Sequence, residues 1–113
     1  MAGRIPPIHP GEVLKLDLME PLDLSGRALS VILKIPANRI TEIVAGKRAI
    51  TADTALRLGR AFDVEADFWM RLQAKFDLET ARDMGAAEYK SIRRVRSKLA
   101  RKKMRGEKLS RAA

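Results

Sequence analysis

Apolar residues recur along this chain at spacings of three and four, the period of a helix face. Pro6, Pro7 and Pro10 mark an irregular start. Pro10 suits the first turn of a helix, where its missing N–H costs nothing. Glu12 then lies on the favourable side of the helix dipole. This first helix is predicted to run to about Met19 and to end before Pro21. Ser25 is the N-cap of a second helix, with Leu29, Ile32 and Leu33 at helical spacing. That helix stops near Ile35, because Pro36 disfavours helix at the residue before it. Pro36 opens a third helix carrying Ile40, Ile43 and Val44 on one face, and Gly46 ends it. Thr51 caps a fourth, containing Ala55, Leu56, Leu58 and Phe62. A fifth is predicted from Ala66 to Met84, with Phe68, Trp69, Leu72 and Phe76 on its apolar side and a break at Gly85. Beyond it, Tyr89, Ile92, Val95 and Leu99 trace a narrow stripe along a basic helix from Ala86 to about Met104.

No stretch alternates with a period of two, so the fold class is all-α. Helices near ten residues are marginal alone and must pack on one another, which favours a compact bundle. Two regions are expected: a helical domain over 1–84 and a basic tail over 85–113.

The second and third helices, joined at Lys34-Ile35-Pro36, have the proportions of a helix-turn-helix. At about 100° per residue, Ile40, Ile43 and Val44 gather on one side of the third helix. Asn38, Thr41, Glu42 and Ala45 gather on the other. Small, hydrogen-bonding side chains on that face suit a major groove about 12 Å wide. An ordinary amphipathic surface helix would show the same pattern. Asn38 matches an adenine edge with two hydrogen bonds, and Thr41 a thymine methyl. Arg39, on the flank, reaches guanine or a phosphate. Glu42 either accepts from cytosine or pairs with Arg39, and the pairing is preferred because phosphates repel a carboxylate. Lys47 and Arg48 follow the helix on a turn that suits phosphate contact.

Charge changes the picture at the C-terminus. Residues 1–89 hold 12 Lys and Arg against 13 Asp and Glu, a net −1. Residues 90–113 hold 11 Lys and Arg against Glu107 alone, a net +10. A basic tail meets nucleic acid, an acidic protein or a membrane surface, or simply keeps the chain solvated. Arg93, Arg94, Arg96 and Lys98 are its candidate phosphate contacts; a membrane role is disfavoured because the apolar stripe lacks Trp and Phe.

Other chemistry is sparse. Cysteine is absent and His9 is the single histidine, so a metal site would need carboxylates alone. His9 is read as a polar residue at a helix start, and Asp77, Glu79 and Asp83 as a solvated face. There is no nucleophile-and-base pair and no Gly-rich phosphate loop, so neither an enzyme nor a cofactor is expected. No apolar run approaches membrane-spanning length and no signal pattern opens the chain, which points to the cytoplasm.

Three stretches carry a resemblance. They are His9-Pro10-Gly11-Glu12, the run from Ala45 through Leu58, and Phe68-Trp69-Met70-Arg71-Leu72-Gln73. In this order and spacing, residues 9–76 resemble the HigA-type antitoxins of toxin–antitoxin modules, within the lambda-repressor-like (XRE/Cro) helix-turn-helix class. The resemblance implies a five-helix domain, a homodimer, double-stranded operator DNA read by the third helix, and an mRNA-cleaving RNase toxin encoded nearby. It puts base reading at Ala37, Asn38, Arg39, Thr41 and Glu42. It points to a dimer on the fifth helix, where the stripe Phe68, Trp69, Leu72 and Phe76 is rich in the aromatics that interface cores favour. The chain departs from the family at Gly26, where Gln usually clamps a phosphate; neighbouring Arg27 is the candidate replacement. It departs also at Lys34, where Gly is usual and a left-handed backbone is expected, and at Pro36, where Ser or Thr is common. The acids Glu12, Asp17, Glu20 and Asp23 are candidates for meeting a basic toxin, or form a solvated helix face. A stand-alone phage-type or metabolic repressor, and an adaptor that keeps the fold without DNA binding, stay open beside the antitoxin reading.

Overall fold

The computed structural model describes residues 5–95. Five helices and no strand occur among them. Helix α1, Pro10–Val13, begins where His9 Nδ1 accepts the Gly11 N–H at 2.9 Å. Its axis continues as a π-helical turn, Leu14–Met19, in which the Glu20 N–H reaches back to the Lys15 carbonyl at 2.9 Å. The widened turn points Leu14 and Met19 inward together. Sequence spacing gave the extent of this helix but not the widening.

Helix α2, Gly26–Leu33, is capped by Ser25, whose hydroxyl accepts the Ala28 N–H at 3.0 Å. It ends on Lys34 at φ 59°, the left-handed backbone expected there, at a cost of roughly 1 kcal/mol for a residue with a Cβ. Leu29 and Leu33 are buried, but Ile32, expected beside them, faces solvent. Helix α3, Ala37–Val44, buries Ile40 and Ile43. Helix α4, Ala52–Phe62, is capped by Thr51 and buries Thr54, Ala55 and Leu58, while Leu56 stays outside.

Helix α5, Ala66–Ser91, is two helical segments that meet at a kink, and the non-helical residue between them is Gly85 (φ −119°, ψ 19°), where the break was expected. The Tyr89 ring covers the space a Cβ would take at Gly85, and its hydroxyl carbon comes within 3.1 Å of that position. Ile92 is already extended, so the basic helix expected from Ala86 does not pass Ser91 in that form; its remainder from residue 96 lies outside the described residues.

The core gathers residues from every helix: Leu14, Leu29, Ile40, Ile43, Ile50, Leu58 and Trp69 are all enclosed. Two close fits hold the layers. Gly11 lies so near α3 that a Cβ would sit 1.8 Å from the Ile43 carbonyl oxygen. Gln73 Oε1 accepts the Ile50 N–H at 2.8 Å, which satisfies the buried loop between α3 and α4. Its amide nitrogen donates to Asp77 at 2.9 Å, so Asp77 belongs to this network rather than to an idle solvated face. No helix among the described residues is long and apolar enough to cross a membrane.

Candidate nucleic-acid interface

The site is assembled by α2 and α3, packed on each other through Leu29, Leu33, Ile40 and Ile43. With its apolar side consumed, α3 turns Ala37, Asn38, Thr41 and Ala45 to solvent. Asn38 makes no side-chain hydrogen bond with a described residue, so both its donor and its acceptor are available. Thr41 donates its hydroxyl to the Ala37 carbonyl at 3.0 Å, which turns its donor inward and leaves its methyl as the contact group. Arg27, at the start of α2, is exposed, as are Lys47 and Arg48 after α3. A Cβ at Gly26 would meet only Ile40 Cγ2 at 3.6 Å, an ordinary contact, so the missing Gln there reflects no steric exclusion.

Ion pairing differs from the expected Arg39–Glu42 pair. Arg39 instead donates to Asp53 Oδ2 at 3.1 Å, in the first turn of α4. Glu42 instead receives Arg48 Nε at 2.7 Å. The reason lies in tertiary placement: α4 brings a carboxylate to the flank of Arg39, and the turn at Gly46 (φ 77°) folds Arg48 back over Glu42. The Arg48 guanidinium cancels the carboxylate that would otherwise repel phosphates. Exposed pairs of this kind are worth about 0–1 kcal/mol, so neither pair locks its arginine in place.

Arg57 was not singled out by the sequence. Its Nη1 donates to the Leu33 carbonyl at 2.8 Å, at the end of α2, and its Nε to Asp53 Oδ2 at 3.0 Å. One guanidinium thus fixes the end of the first helix of the pair to α4. The Asp53 carboxyl is held below its ordinary range, chiefly by this hydrogen bond and further by Arg39. The spacing Asp53 to Arg57, four residues on a helix, was the available signal.

The expected dimer stripe divides. Trp69 is fully enclosed by its own chain and is not an interface residue of the kind expected. Leu72 packs against the core, and Phe76 meets His9 edge-on with ring centroids 4.8 Å apart. Phe68 is the most open of the four, at 37% exposed. The stripe is the inner face of α5, which closes the bundle against α1 and α4. The acids Glu12, Asp17, Glu20 and Asp23 are all exposed. Arg93 and Arg94 are exposed just past α5, whereas Arg96 and Lys98 lie outside the described residues.

Comparison with known proteins gives this geometry relatives. The family described as Helix-turn-helix matches residues 16–69. Virulence-associated protein I of Dichelobacter nodosus is 47% identical over 79 residues, 70% of this chain and 73% of that one. The Pseudomonas aeruginosa antitoxin HigA, solved with the higBA promoter, is 41% identical with a TM-score of 0.77, over 80% of this chain and 99% of that one. A second solved structure, a Pseudomonas aeruginosa protein in complex with its 18-bp operator DNA, is 39% identical with a TM-score of 0.78, over 83% of this chain and 100% of that one. By these likenesses the chain belongs to the HigA type of the lambda-repressor-like (XRE/Cro) helix-turn-helix family.

Proposed function

We propose that this protein is an operator-binding repressor that works as a dimer and neutralises an mRNA-cleaving toxin encoded nearby. The observation that carries the DNA reading is the outer face of α3, where Ala37, Asn38 and Thr41 stand exposed between cations at both ends. In this reading Asn38 and Thr41 read base edges, with Ala37 giving close approach. Arg27, Lys47 and Arg48 hold phosphates, and so does Arg39 once released from Asp53. The relatives solved with promoter or operator DNA support it. Arg93, Arg94, Arg96 and Lys98 extend the phosphate contacts without reading sequence. The mechanism is equilibrium binding with no chemical step.

The dimer reading moves to the outer face of α5. At about 100° per residue, Met70, Ala74, Leu78 and Ala81, all before the kink, share one side, turned away from Trp69 and Gln73. Met70 and Leu78 are large apolar side chains left in solvent. Small residues beside them let a second helix approach closely. A basic toxin meets Glu12, Asp17, Glu20 and Asp23, where complementary charge speeds encounter and selects the partner.

Copurification with the product of the neighbouring gene, followed by a gel shift on the protein's own promoter, tests the whole reading. A retained toxin and a promoter-specific shift are expected. A shift with no retained neighbour supports a stand-alone repressor instead. Asn38→Ala should weaken specific operator binding by about 1–3 kcal/mol while leaving binding to random DNA nearly unchanged. Equal losses on both would remove Asn38 from base reading.

A further inference from the structure

Between the C-terminal end of α2 and the outer side of α4 lies an open groove of about 430 Å³. Ile32 and Leu33 form one wall, Leu56 and Ala61 the other, and Lys34 and Arg60 stand at the rim. Ile32 is 51% exposed, Leu56 65%, and adjoining Val31 73%. Large aliphatic side chains clustered in solvent on a small domain mark a contact surface. Arg57 and Asp53, also in the groove, satisfy each other. Lys34 and Arg60 form no ion pair with a described residue. The groove therefore suits an apolar segment flanked by carboxylates. Its apolar walls offer nothing to a phosphate backbone.

The chain displays such a segment on its own surface. Over residues 16–23, at the π turn and its exit, Leu16 and Leu22 are exposed apolar side chains. Asp17, Glu20 and Asp23 are exposed among them and pair with no described residue. This lobe precedes the N-terminus of α2, and the groove lies at its C-terminus, eight residues or about 12 Å further along a rigid helix. The lobe cannot close on the groove of its own chain.

We propose that the lobe of one copy docks in the groove of the next. Leu16 and Leu22 enter between Ile32 and Leu56, and the carboxylates of Asp17 and Glu20 meet Arg60 and Lys34. Two different surfaces form this contact, so each docked pair leaves one lobe and one groove free for a further copy and the contact can repeat along a row. It goes beyond the operator and toxin reading and needs neither ligand. Copies bound at neighbouring sites on one DNA would reinforce each other through it. A lobe held in a neighbour's groove is unavailable to a toxin, so the two uses exclude each other.

The test is sedimentation velocity of the full chain without DNA, from about 10 μM to about 1 mM, the range expected of a small contact. The weight-average mass of the wild type should roughly double across that range, and less so at high salt, where exposed charges are screened. Arg60→Glu and Glu20→Lys should each flatten the rise, as should Leu56→Ser, with helical circular dichroism unchanged. An equal mixture of Arg60→Glu and Glu20→Lys should restore it, because opposite charges again face each other. A flat wild type, variants that associate like the wild type, or a mixture that stays flat would each overturn the proposal. Loss of the α5 dimer is read separately, since it lowers the mass of the smallest unit while this contact governs only growth beyond it.

Discussion

Helices α3 and α5 differ in length, eight residues against 26, and differ in the opposite sense in how fully each is used. In α3 every side has an occupation. Ile40 and Ile43 fill the core, the Ile43 carbonyl receives the close approach of Gly11, Arg39 and Glu42 reach α4 and the following turn, and Asn38 stands free. Among the described residues helix α5 fully buries Trp69 and Gln73, both in its first third, and beyond Asp77 none of its side chains is enclosed. Length therefore does not measure contribution to the fold. A short helix with a polar outer face depends on its neighbours for stability, which suits a rigid reading head. The distal part of α5 turns Leu78 and Met84 outward among the described residues, which is the opposite arrangement to the enclosed apolar side of α3.

That contrast breaks first at Gly11. Gly11→Ala drives a Cβ into the Ile43 carbonyl and should cost about 3 kcal/mol, as overpacking does. In a domain of this size the melting temperature then falls by roughly 15 °C, which calorimetry reads. If the fall is below a few degrees, α1 does not brace α3. Next comes Gln73→Leu, which leaves the buried Ile50 N–H without an acceptor and should cost about 2 kcal/mol in urea unfolding. A loss no larger than that of an exposed substitution would mean the loop finds another partner.

A smaller effect is expected from pH. Burial lowers the His9 pKa below its ordinary 6.5, against the opposing pull of Asp77 and Glu12. Its Nδ1 must stay unprotonated to accept the Gly11 N–H. The unfolded chain therefore takes up the proton first as pH falls. The His9 contribution is complete above about pH 6.5 and is lost progressively as pH drops toward the lower folded value. His9→Asn, which keeps a capping side chain, should remove this part of the pH dependence; an unchanged profile would assign it elsewhere. The smallest effect on folding belongs to Leu78→Ser on the outer side of α5. It should shift stability by no more than about 0.5 kcal/mol, measured at concentrations where the chain is monomeric. In the same variant, self-association should weaken at least tenfold if that side is the dimer seam, and an unaltered dimer would move the seam off α5.

Much of the fold was legible because its punctuation is local. Ser25 and Thr51 cap the helices they precede, His9 caps α1, and Lys34 takes the left-handed backbone where its neighbours demand it. What was not legible depends on partners far along the chain. The bond from Gln73 to Ile50 spans 23 residues and leaves no pattern in either segment. Arg39 lies three residues from Glu42 yet pairs with Asp53, 14 residues away, because α4 arrives at its flank. An apolar stripe on α5 reads the same whether its partner is the chain's own core or a second molecule, and Trp69 belongs to the first case. Gly85 did mark the break in α5, but the direction the chain takes beyond it, with the Tyr89 ring over the kink, is set by packing that no local pattern records.

The enclosure of Trp69 also has an optical consequence. It is the chain's single tryptophan, and its indole is surrounded by apolar side chains with Phe68 edge-on at 5.2 Å between ring centroids. Its Nε1 meets no hydrogen-bond partner among the described residues, and water, the mobile dipole toward which an excited indole relaxes, is excluded from it. Emission from the native protein lies toward the blue and moves red when the core opens to water. Since Trp69 stands on the inner face of α5, away from the outer side of α3 and from the α2–α4 groove, this light reports the integrity of the bundle alone. Occupancy of either outer surface leaves it dark to the observer, and any colour change on mixing with a partner signals that the core itself has yielded.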